Sequence, residues 1–374
     1  MGKETGISWT DSTWNPIRGC SRVSPGCMNC YAEKMASRYG GIDKNGKPLP
    51  YHGLVDDKGR WNGVIRSIPS HLWEPRKWKD GRKIFVNSMS DLFHENLPQE
   101  EIELIFAVMA LFERHTFQFL TKREKRMQDL LSSPKFWENV MALCEVYAER
   151  VEGQSQGAMM GFDAWAHEVM DRKALRHVWV GVSAENQECL EKRWACLRET
   201  PAGIRWISAE PLLGPLVFSK PETGEWPTHG KMLRNPEEWD DWKYWGPAAV
   251  DWIVVGGESK QSMDARPCEI EWIRGIKDQC HVAKTPLWVK QLGGMVLTNG
   301  CSSGRNDVDG LMEHFPGRMC SDKSPEYRSM CEHRKEDGSF AWHLHLKDSH
   351  GADMKEWPED LRVQKLPKVP VVIG

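Results

Sequence analysis

The chain has 374 residues, 40% of them hydrophobic, and a net charge of −3. This composition suffices for a full core and argues against wholesale disorder or a fibrous repeat. No apolar run approaches the length of a membrane span and no signal peptide opens the sequence, so we expect a cytoplasmic protein without membrane contact. A near-neutral chain is not basic throughout, so any nucleic-acid contact must come from a local patch.

Short apolar or β-branched runs recur along the chain, and each leads into small or charged residues. They fall at Trp14–Ile17, Ile84–Asn87, Phe117–Leu120, Val178–Val182, Arg205–Ile207, Trp252–Val255 and Leu287–Val289. Such runs are typical of strands buried on both faces of a parallel sheet. Helical patterns lie between several of them, most clearly at Pro98–Phe112 and Glu185–Leu197.

This alternation predicts an α/β fold, which we interpret as a partial β/α barrel of the TIM type rather than a doubly wound sheet. No dinucleotide-type Gly-rich turn follows a strand, which disfavours the second fold. We predict a barrel over residues 1–295, interrupted by insertions at about 40–75, 128–175 and 219–250. Residues 296–374 lack the repeating pattern and are predicted to form an irregular C-terminal appendage.

Three of the eleven cysteines form a tight set, Cys20, Cys27 and Cys30. In a chain without a signal peptide, cysteines are reduced thiols or metal ligands rather than disulfides. Three thiolates suit a four-iron cluster with one open iron, whereas structural zinc takes four ligands. A helix predicted to start near Tyr31 would lower the thiol pKa values through its N-terminus. A zinc site completed by a distant ligand, or three unrelated thiols, are the alternatives.

The remaining cysteines are scattered. A second metal or cluster is an open possibility for Cys301, Cys320 and Cys331 together with His314 and His333. The others are expected to be ordinary buried thiols: Cys144, Cys189, Cys196, Cys268 and Cys280.

Four charged residues follow predicted strands and are candidate catalytic residues, Lys122, Glu210, Glu258 and Lys290. The carboxyl ends of barrel strands hold the active site in this type of fold. Charges inside a barrel are costly without partners, so these groups should pair with one another or contact a ligand. Buried structural ion pairs are the alternative interpretation.

Two basic stretches are candidate nucleic-acid contacts. Residues 73–83 mix cations with tryptophans, as phosphate contacts combined with base stacking require. Residues 122–126 are Lys-Arg-Glu-Lys-Arg and begin at the end of a predicted strand. A solvated surface is the alternative for each.

The cysteine loop resembles that of the radical S-adenosylmethionine superfamily, with the spacing C-x6-C-x2-C in place of the usual C-x3-C-x2-C. The resemblance is closer to a phage- and bacteria-associated family of radical-S-adenosylmethionine-like proteins with a three-Cys motif. It covers roughly residues 5–295, and its motifs are residues 7–16, 19–32, 87–93, 120–123, 181–183, 208–214 and 256–258.

The resemblance implies a [4Fe-4S] cluster on Cys20, Cys27 and Cys30 whose open iron binds S-adenosyl-L-methionine. Reductive cleavage would then give a 5′-deoxyadenosyl radical, with a flavodoxin- or ferredoxin-type protein as electron donor. Strand-end residues would hold the cofactor: its ammonium at Asp91, the ribose at Ser183 or Glu185, and the adenine near glycine backbone. The full set of expected cofactor-binding residues is Ser88, Ser90, Asp91, Ser183, Glu185, Gly256 and Gly257.

The implied activity is modification of a nucleic-acid base, of the kind found in phage thymidine hypermodification, with isomerisation of an amino-acid-modified base as one form. The localisation is then the host cytoplasm, and the partner is DNA or a modified nucleotide. Such a base would have to be flipped out or single-stranded. The alternatives are a repair enzyme resembling spore photoproduct lyase, and a zinc-stabilised nucleic-acid-binding or defence module without redox chemistry.

Overall fold

The described part of the chain consists of strands alternating with helices, and it divides into two units. The computed structural model describes residues 5–148, 162–218, 250–259, 265–298, 332–334, 340–344, 346, 348 and 350–368. Unit 1 comprises Met1–Ser183 and Lys192–Trp206, and unit 2 comprises Ala184–Glu191 and Ile207–Gly374.

The secondary structure alternates along the chain as the sequence predicted. The strands are β1 Ser12–Trp14, β2 Ile17–Arg18, β3 Arg66–Ser67, β4 Lys83–Val86, β5 Thr116–Thr121, β6 Val178–Ser183, β7 Ile204–Ala209, β8 Trp252–Gly256, β9 Cys268–Glu269, β10 Leu287–Gln291, β11 Val296–Thr298, β12 Glu332–Arg334 and β13 Phe340–Leu344. The helices are α1 Tyr31–Arg38, α2 Pro69–Leu72, α3 Gln99–Leu111, α4 Glu124–Leu131, α5 Pro134–Tyr147, α6 Phe162–Arg172, α7 Gln187–Glu199 and α8 Ile270–Ala283.

Seven strands form one sheet in the order β1-β4-β5-β6-β7-β8-β10. Each of the seven predicted apolar runs overlaps one of these strands, and the paired strands whose register is known run parallel. A strand buried on both faces needs an unbroken apolar run, which is why the pattern was legible in the sequence. The chain is therefore a mixed α/β protein built on a parallel seven-stranded sheet, as predicted.

In unit 1 the parallel register brings four strand ends to one edge. Trp14 pairs with Val86, Val86 with Phe119, and Thr121 with Val182. The segments that leave the carboxyl ends of β1, β4 and β5 therefore start side by side. These segments carry the cysteine loop, residues 87–98 and residues 122–123.

The core of unit 1 is rich in aromatic side chains. Phe93, Phe106, Phe119, Phe136 and Trp137 form edge-on or tilted pairs with ring centroids 5.2–6.4 Å apart. The rings come from α3, α5, β5 and the segment after β4, so the cluster fixes both helices against the sheet. Edge-on aromatic pairs contribute about 0.5–1.5 kcal/mol each beyond the area they bury.

Residues 40–66 form the described part of an insertion between α1 and α2, which we call the two-turn insertion. Leu54 and Trp61 are buried against Ala32 and Ala36 of α1, and Cys20 and Cys30 are packed against the same cluster. The short antiparallel pair of β2 and β3 closes the insertion back onto the strand that leads into Cys20. The two-turn insertion is therefore packed on the cysteine loop.

In unit 2, β8 and β10 pair in parallel, with Ile253 opposite Leu287. A second sheet has the order β12-β13-β11-β9, in which β11 runs antiparallel to β13 and parallel to β9. None of these strands was predicted; β9, β11 and β12 have only two or three residues, too few for a readable alternation. The predicted domain boundary at residue 296 stays a prediction.

Of the predicted insertions, 219–250 lies outside the described residues except for residue 250, and residues 149–161 of the segment 128–175 also lie outside them. The described part of 128–175 contains α5, α6 and the end of α4. No helix within the described ranges has the length and apolar character needed to cross a membrane.

Candidate functional site

The cysteine loop joins β2 to α1 and is tied to its surroundings at its first residue. Gly19 has a φ of +99°, a conformation that side chains disfavour, and a Cβ there would lie 2.0 Å from the Val64 carbonyl oxygen. Gly19 also bridges to Ser90 in the segment after β4, and the Cys20 carbonyl oxygen accepts a hydrogen bond from the Gly63 N–H at 3.1 Å. The backbone around Cys20 is therefore fixed on two sides.

The second and third cysteines close the loop. Pro25–Cys27 form one turn of 3-10 helix, in which the Cys27 N–H donates to the Ser24 carbonyl at 2.9 Å. Cys30 is the N-cap residue of α1, and the backbone N–H groups of Glu33 and Ala32 act to lower its pKa. This is the helix start that the sequence predicted after Cys30.

The three thiols lie within electrostatic reach of one another, since the charges of Cys30 and Cys27 both act on Cys20. Burial raises the pKa of Cys20 to about 12, against the opposing charge of Arg123. Burial also raises the pKa of Cys30, while the α1 N–H groups and Lys122 act to lower it. Both thiols are therefore protonated at neutral pH even beside these cations, so a bound metal is needed to hold them as thiolates.

Arg123 places a buried positive charge beside Cys20 and opposes the effect of burial on its pKa. Its side chain is only 4% exposed, and Nη1 lies 3.6 Å from the Cys20 sulfur and 3.0 Å from Asp91 Oδ2. Nη2 donates to both the carbonyl and the hydroxyl oxygen of Ser21, at 3.1 and 2.8 Å. Burial acts to lower the pKa of Arg123, but the charges of Asp91 and Cys20 outweigh it and raise the pKa.

Asp91 anchors this guanidinium. One carboxylate oxygen accepts from the Thr121 hydroxyl at 2.7 Å and the Phe93 N–H at 3.0 Å. The other accepts from the Lys122 N–H and from Arg123, both at 3.0 Å. Both oxygens are thus engaged by this chain, and the expected role of Asp91 in binding a cofactor ammonium stays a prediction.

Ser21 and His94 extend the network. His94 is buried, and its Nδ1 accepts a hydrogen bond from the Asn96 N–H at 3.1 Å, so its Nε2 carries the ring hydrogen and donates to the Ser21 hydroxyl at 2.9 Å. Burial, aided by the charge of Arg123, lowers the pKa of His94. A neutral His94 therefore holds the residue that follows Cys20.

Glu33 braces the other side of the loop. Its buried carboxylate pairs with Arg22 of the cysteine loop and accepts the backbone N–H of Trp61 at 3.0 Å. One carboxylate of α1 thereby holds both the loop and the two-turn insertion.

The other predicted site residues of unit 1 lie at or near the same edge. Ser88 exchanges hydrogen bonds with Asn15, and Ser90 donates to the Ile17 carbonyl at 3.1 Å. Lys122 is half-buried and its charge reaches Cys30. Ser183 ends β6, is 3% exposed, and its carbonyl accepts from Arg193 at 2.8 Å.

In unit 2 two of the candidate catalytic residues meet. The Lys290 ammonium lies 3.1 Å from Glu210 Oε1, and the Ser208 hydroxyl donates to Glu210 Oε2 at 3.1 Å. The Glu210 side chain is 14% exposed and that of Lys290 is 27% exposed. The expectation that these charges pair with one another is therefore met for Glu210 and Lys290.

Glu258 has a different partner. Its buried carboxylate forms a bidentate pair with Arg266, at 2.6 and 3.1 Å, and also accepts the Arg266 backbone N–H at 2.9 Å. This is the geometry of a structural ion pair, the alternative considered for these residues.

The remaining expected cofactor contacts in unit 2 are buried. Glu185 is 0% exposed, and its carbonyl accepts from the Leu213 N–H at 2.8 Å. A Cβ at Gly256 would lie 2.8 Å from Glu210 Oε1, and a Cβ at Gly257 would lie 2.2 Å from the Leu292 carbonyl oxygen. The second glycine is thus required by the packing of the chain itself.

Among the comparisons with known proteins, one protein-family model matches the chain. The model of a family described as "Protein of unknown function (DUF5131)" matches residues 4–340, most of the chain and all of the site residues above. The chain belongs to this DUF5131 family. Neither the curated proteins nor the solved structures contain a match to it.

In this DUF5131 protein, Arg123, Ser21 and His94 are site residues that the sequence reasoning missed. Arg123 was noted only as one cation of a basic stretch, which the structure breaks up. Arg123 is buried, Arg126 donates to the carbonyls of His94 and Leu97, and Lys125 pairs with Asp129 at 2.6 Å. The available signal was position, since Arg123 comes two residues after the last residue of β5.

All cysteines within the described ranges are free thiols: Cys20, Cys27, Cys30, Cys144, Cys189, Cys196, Cys268 and Cys280. Three or more His, Cys, Asp or Glu side chains placed to hold a single metal ion do not occur among the residues described. Cys301, Cys320, Cys331 and His314 lie outside the described residues, as does the side chain of His333.

Proposed function

We propose that this protein is a radical S-adenosylmethionine enzyme with a [4Fe-4S] cluster bound by Cys20, Cys27 and Cys30. The observation that carries the proposal is the grouping of three free thiols on one fixed loop beside a buried guanidinium. Thiolates are the donors that iron–sulfur clusters use, and three of them leave one iron open. The donor set therefore fits the cluster by its chemistry.

We further propose that the parallel sheet belongs to a partial β/α barrel. The alternation of strands and helices supports it, as does the meeting of strand ends at one edge in unit 1. In barrels of this kind reacting groups collect at the carboxyl ends of the strands.

When bound, the cluster and S-adenosylmethionine would supply a 5′-deoxyadenosyl radical that removes a hydrogen atom from an unactivated carbon. The chain's own part is to hold the loop and balance charge. Arg123 neutralises the thiolate of Cys20 and fixes Ser21, and Asp91 keeps the guanidinium aligned. The N–H groups at the start of α1 stabilise the thiolate of Cys30.

Glu210 and Lys290 are the residues proposed to contact substrate, because their ion pair is only partly buried and can exchange partners. We propose as substrate a base of DNA or a modified nucleotide, acted on as in phage base hypermodification. An electron donor of the flavodoxin or ferredoxin type would reduce the cluster.

The test is anaerobic reconstitution with iron and sulfide. We expect a brown protein that holds about four iron atoms per chain and cleaves S-adenosylmethionine to 5′-deoxyadenosine with dithionite. Replacement of all three loop cysteines by alanine should abolish both properties. Cys196→Ala is the matched control, because Cys196 is a half-buried thiol outside the loop.

A different result would favour the zinc alternative. Stoichiometric zinc in both aerobic and anaerobic preparations, without cleavage of S-adenosylmethionine, contradicts the radical mechanism.

A further inference from the structure

The two-turn insertion contains the same turn twice. Asp43 and Asp56 each begin a five-residue turn with the pattern Asp-x-x-Gly-Lys/Arg, in residues 43–47 and 56–60. In each turn the Asp carboxylate accepts the N–H groups of the third and fifth residues at 2.8–2.9 Å. The glycine in fourth place has a positive φ, +78° in one turn and +72° in the other.

Each turn presents two cations to solvent. Lys44 and Lys47 are exposed on the first turn, and Lys58 and Arg60 on the second. The acidic residue that opens each turn directs its carboxylate at backbone N–H groups. The two hydrogen-bonded turns therefore carry four exposed cations between them.

The charge of this region differs from that of the whole chain. Residues 31–66 contain seven Lys and Arg against four Asp and Glu, in a chain whose net charge is −3. One of the four acids is Glu33, which is buried and paired with Arg22. The surface is therefore more basic than the count alone indicates.

Exposed aromatic side chains accompany the cations. Tyr31 and Tyr39, at the two ends of α1, are 41% and 38% exposed, and the Arg38 guanidinium lies 5.7 Å from the centre of the Tyr39 ring. The Tyr39 carbonyl accepts the Tyr51 N–H at 3.1 Å, which joins the end of α1 to the insertion. Flat rings beside cations are what a single strand requires, since bases stack on the rings and phosphates pair with the charges.

This surface adjoins the candidate site within unit 1. The Gly63 N–H donates to the Cys20 carbonyl, and Trp61 and Leu54 pack with Cys20 and Cys30 in one cluster. By contrast, the basic stretch 73–83 precedes β4, so it lies at the amino end of a strand whose carboxyl end faces the cysteine loop.

We infer that the two-turn insertion, with Arg38 and Tyr39, is the binding surface for a single-stranded nucleic acid. Lys44, Lys47, Lys58 and Arg60 contact its phosphates, and Tyr39 stacks on a base. The inference deepens the proposed function, on which it rests for the chemistry carried out on the bound strand.

The probe is a fluorescein-labelled oligothymidylate of about 20 nucleotides, longer than one binding site of this kind. Binding to the full chain is measured by fluorescence anisotropy across a range of salt concentrations. Because each phosphate contact on a single strand contributes about 0.7 to the salt slope, K44Q/K47Q/K58Q/R60Q should lower the slope by about 3 and weaken binding at least about tenfold.

The matched control removes four exposed cations elsewhere in unit 1, as K77Q/K79Q/K125Q/K135Q, and should bind within about twofold of the wild type. It includes two cations of the stretch 73–83. Tyr39→Ala should weaken binding about fivefold or more through lost stacking, whereas Tyr39→Phe keeps the ring and the affinity.

Three outcomes would overturn the inference: a wild type that does not bind the oligonucleotide at low salt, equal losses in the two quadruple variants, or equal losses in the two Tyr39 variants. If the wild type does not bind the oligonucleotide but binds an acidic electron-carrier protein through these cations, the surface is a binding site for a protein partner.

Iron content and cleavage of S-adenosylmethionine without nucleic acid are measured on the same variants and should not change. If cleavage is absent even from the wild type while the binding pattern holds, the proposed function fails and the binding surface stands.

Discussion

The Asp91–Arg123 pair of unit 1 and the Glu210–Lys290 pair of unit 2 are held in different ways. In unit 1 the guanidinium of Arg123 and the carboxylate of Asp91 are almost fully buried. Arg123 also donates to Ser21, and Asp91 also accepts from Thr121. In unit 2 Glu210 and Lys290 form a single, partly exposed pair. A multiply connected buried network costs much to disturb and keeps its neighbours in place, whereas a simple pair can open to a ligand. Under the proposed function, Arg123 and Asp91 therefore support the site, whereas Glu210 and Lys290 contact the substrate.

The largest expected effect comes from breaking the network at Asp91. Asp91→Ala leaves the Arg123 charge buried without its carboxylate, so we expect a loss of about 3–5 kcal/mol in the free energy of unfolding, measured by urea denaturation. Adding Arg123→Met removes the stranded charge and should restore part of the loss. If the double variant is no more stable than Asp91→Ala, the charge pair is not the source of the effect.

A smaller effect is expected from Arg123→Lys. A single ammonium retains the charge but cannot reach Asp91, the sulfur of Cys20 and both oxygens of Ser21 together. Loss of charge-assisted hydrogen bonds should cost about 1.5–3 kcal/mol in the same assay. Lys125→Gln, two residues away but exposed, should stay near the wild type. A loss at Arg123 no larger than at Lys125 would contradict the network.

The two units should also differ in their response to acid. In unit 1, burial lowers the pKa of His177 from 6.5 to about 4 and also lowers that of His94 and His115. Their contribution to stability is present above pH 6.5 and is lost as the pH falls, for His177 as it approaches about 4. In unit 2, burial acts to raise the pKa of Asp360, but Arg274 and Lys277 outweigh it and hold it at about 2.

The contribution of Asp360 is therefore present above its ordinary pKa of 3.8 and is lost only between pH 3.8 and 2. Hydrogen exchange followed by mass spectrometry at pH 5 should show increased exchange in unit 1 peptides before unit 2 peptides respond. His177→Gln should reduce that difference. Simultaneous opening of both units at pH 5 would remove the distinction.

The smallest effect on stability is expected at Glu210→Gln. Because the pair with Lys290 is partly exposed, its loss should change the free energy of unfolding by less than about 1 kcal/mol. Under the proposed function the same variant should lose turnover of the substrate while still loading iron. A destabilisation as large as that of Asp91→Ala would assign Glu210 to the supporting framework.

The sequence predicted the strands of the main sheet well because their pattern is local. A run such as Val178–Val182 predicts a strand buried on both faces, and the prediction does not depend on which strands lie beside it. The start of α1 after Cys30 was predicted for the same reason. The second sheet was not, since β9 has two residues and β11 has three.

The candidate site was predictable only in part. The three cysteines stood out by spacing, but the partners of a charge are set by tertiary contacts. Apart from its position just after β5, nothing in the local sequence distinguishes Arg123, which is buried against Asp91, from Lys125, which is 70% exposed. The matched turns of the insertion became evident only from their hydrogen bonds.

The carboxylate of Glu33 has a consequence for how such a chain can change over time. The Glu33 carboxylate binds Arg22 of the cysteine loop and the Trp61 N–H of the two-turn insertion. On the same helix, the small side chains of Ala32 and Ala36 are covered by Leu54 and Trp61. Loss of residues 40–66 would expose an apolar patch and remove one of the three hydrogen bonds that the Glu33 carboxylate accepts. A descendant that sheds this segment would have to replace the residues at 33 and 36 as well, so the two regions are expected to be inherited or lost together.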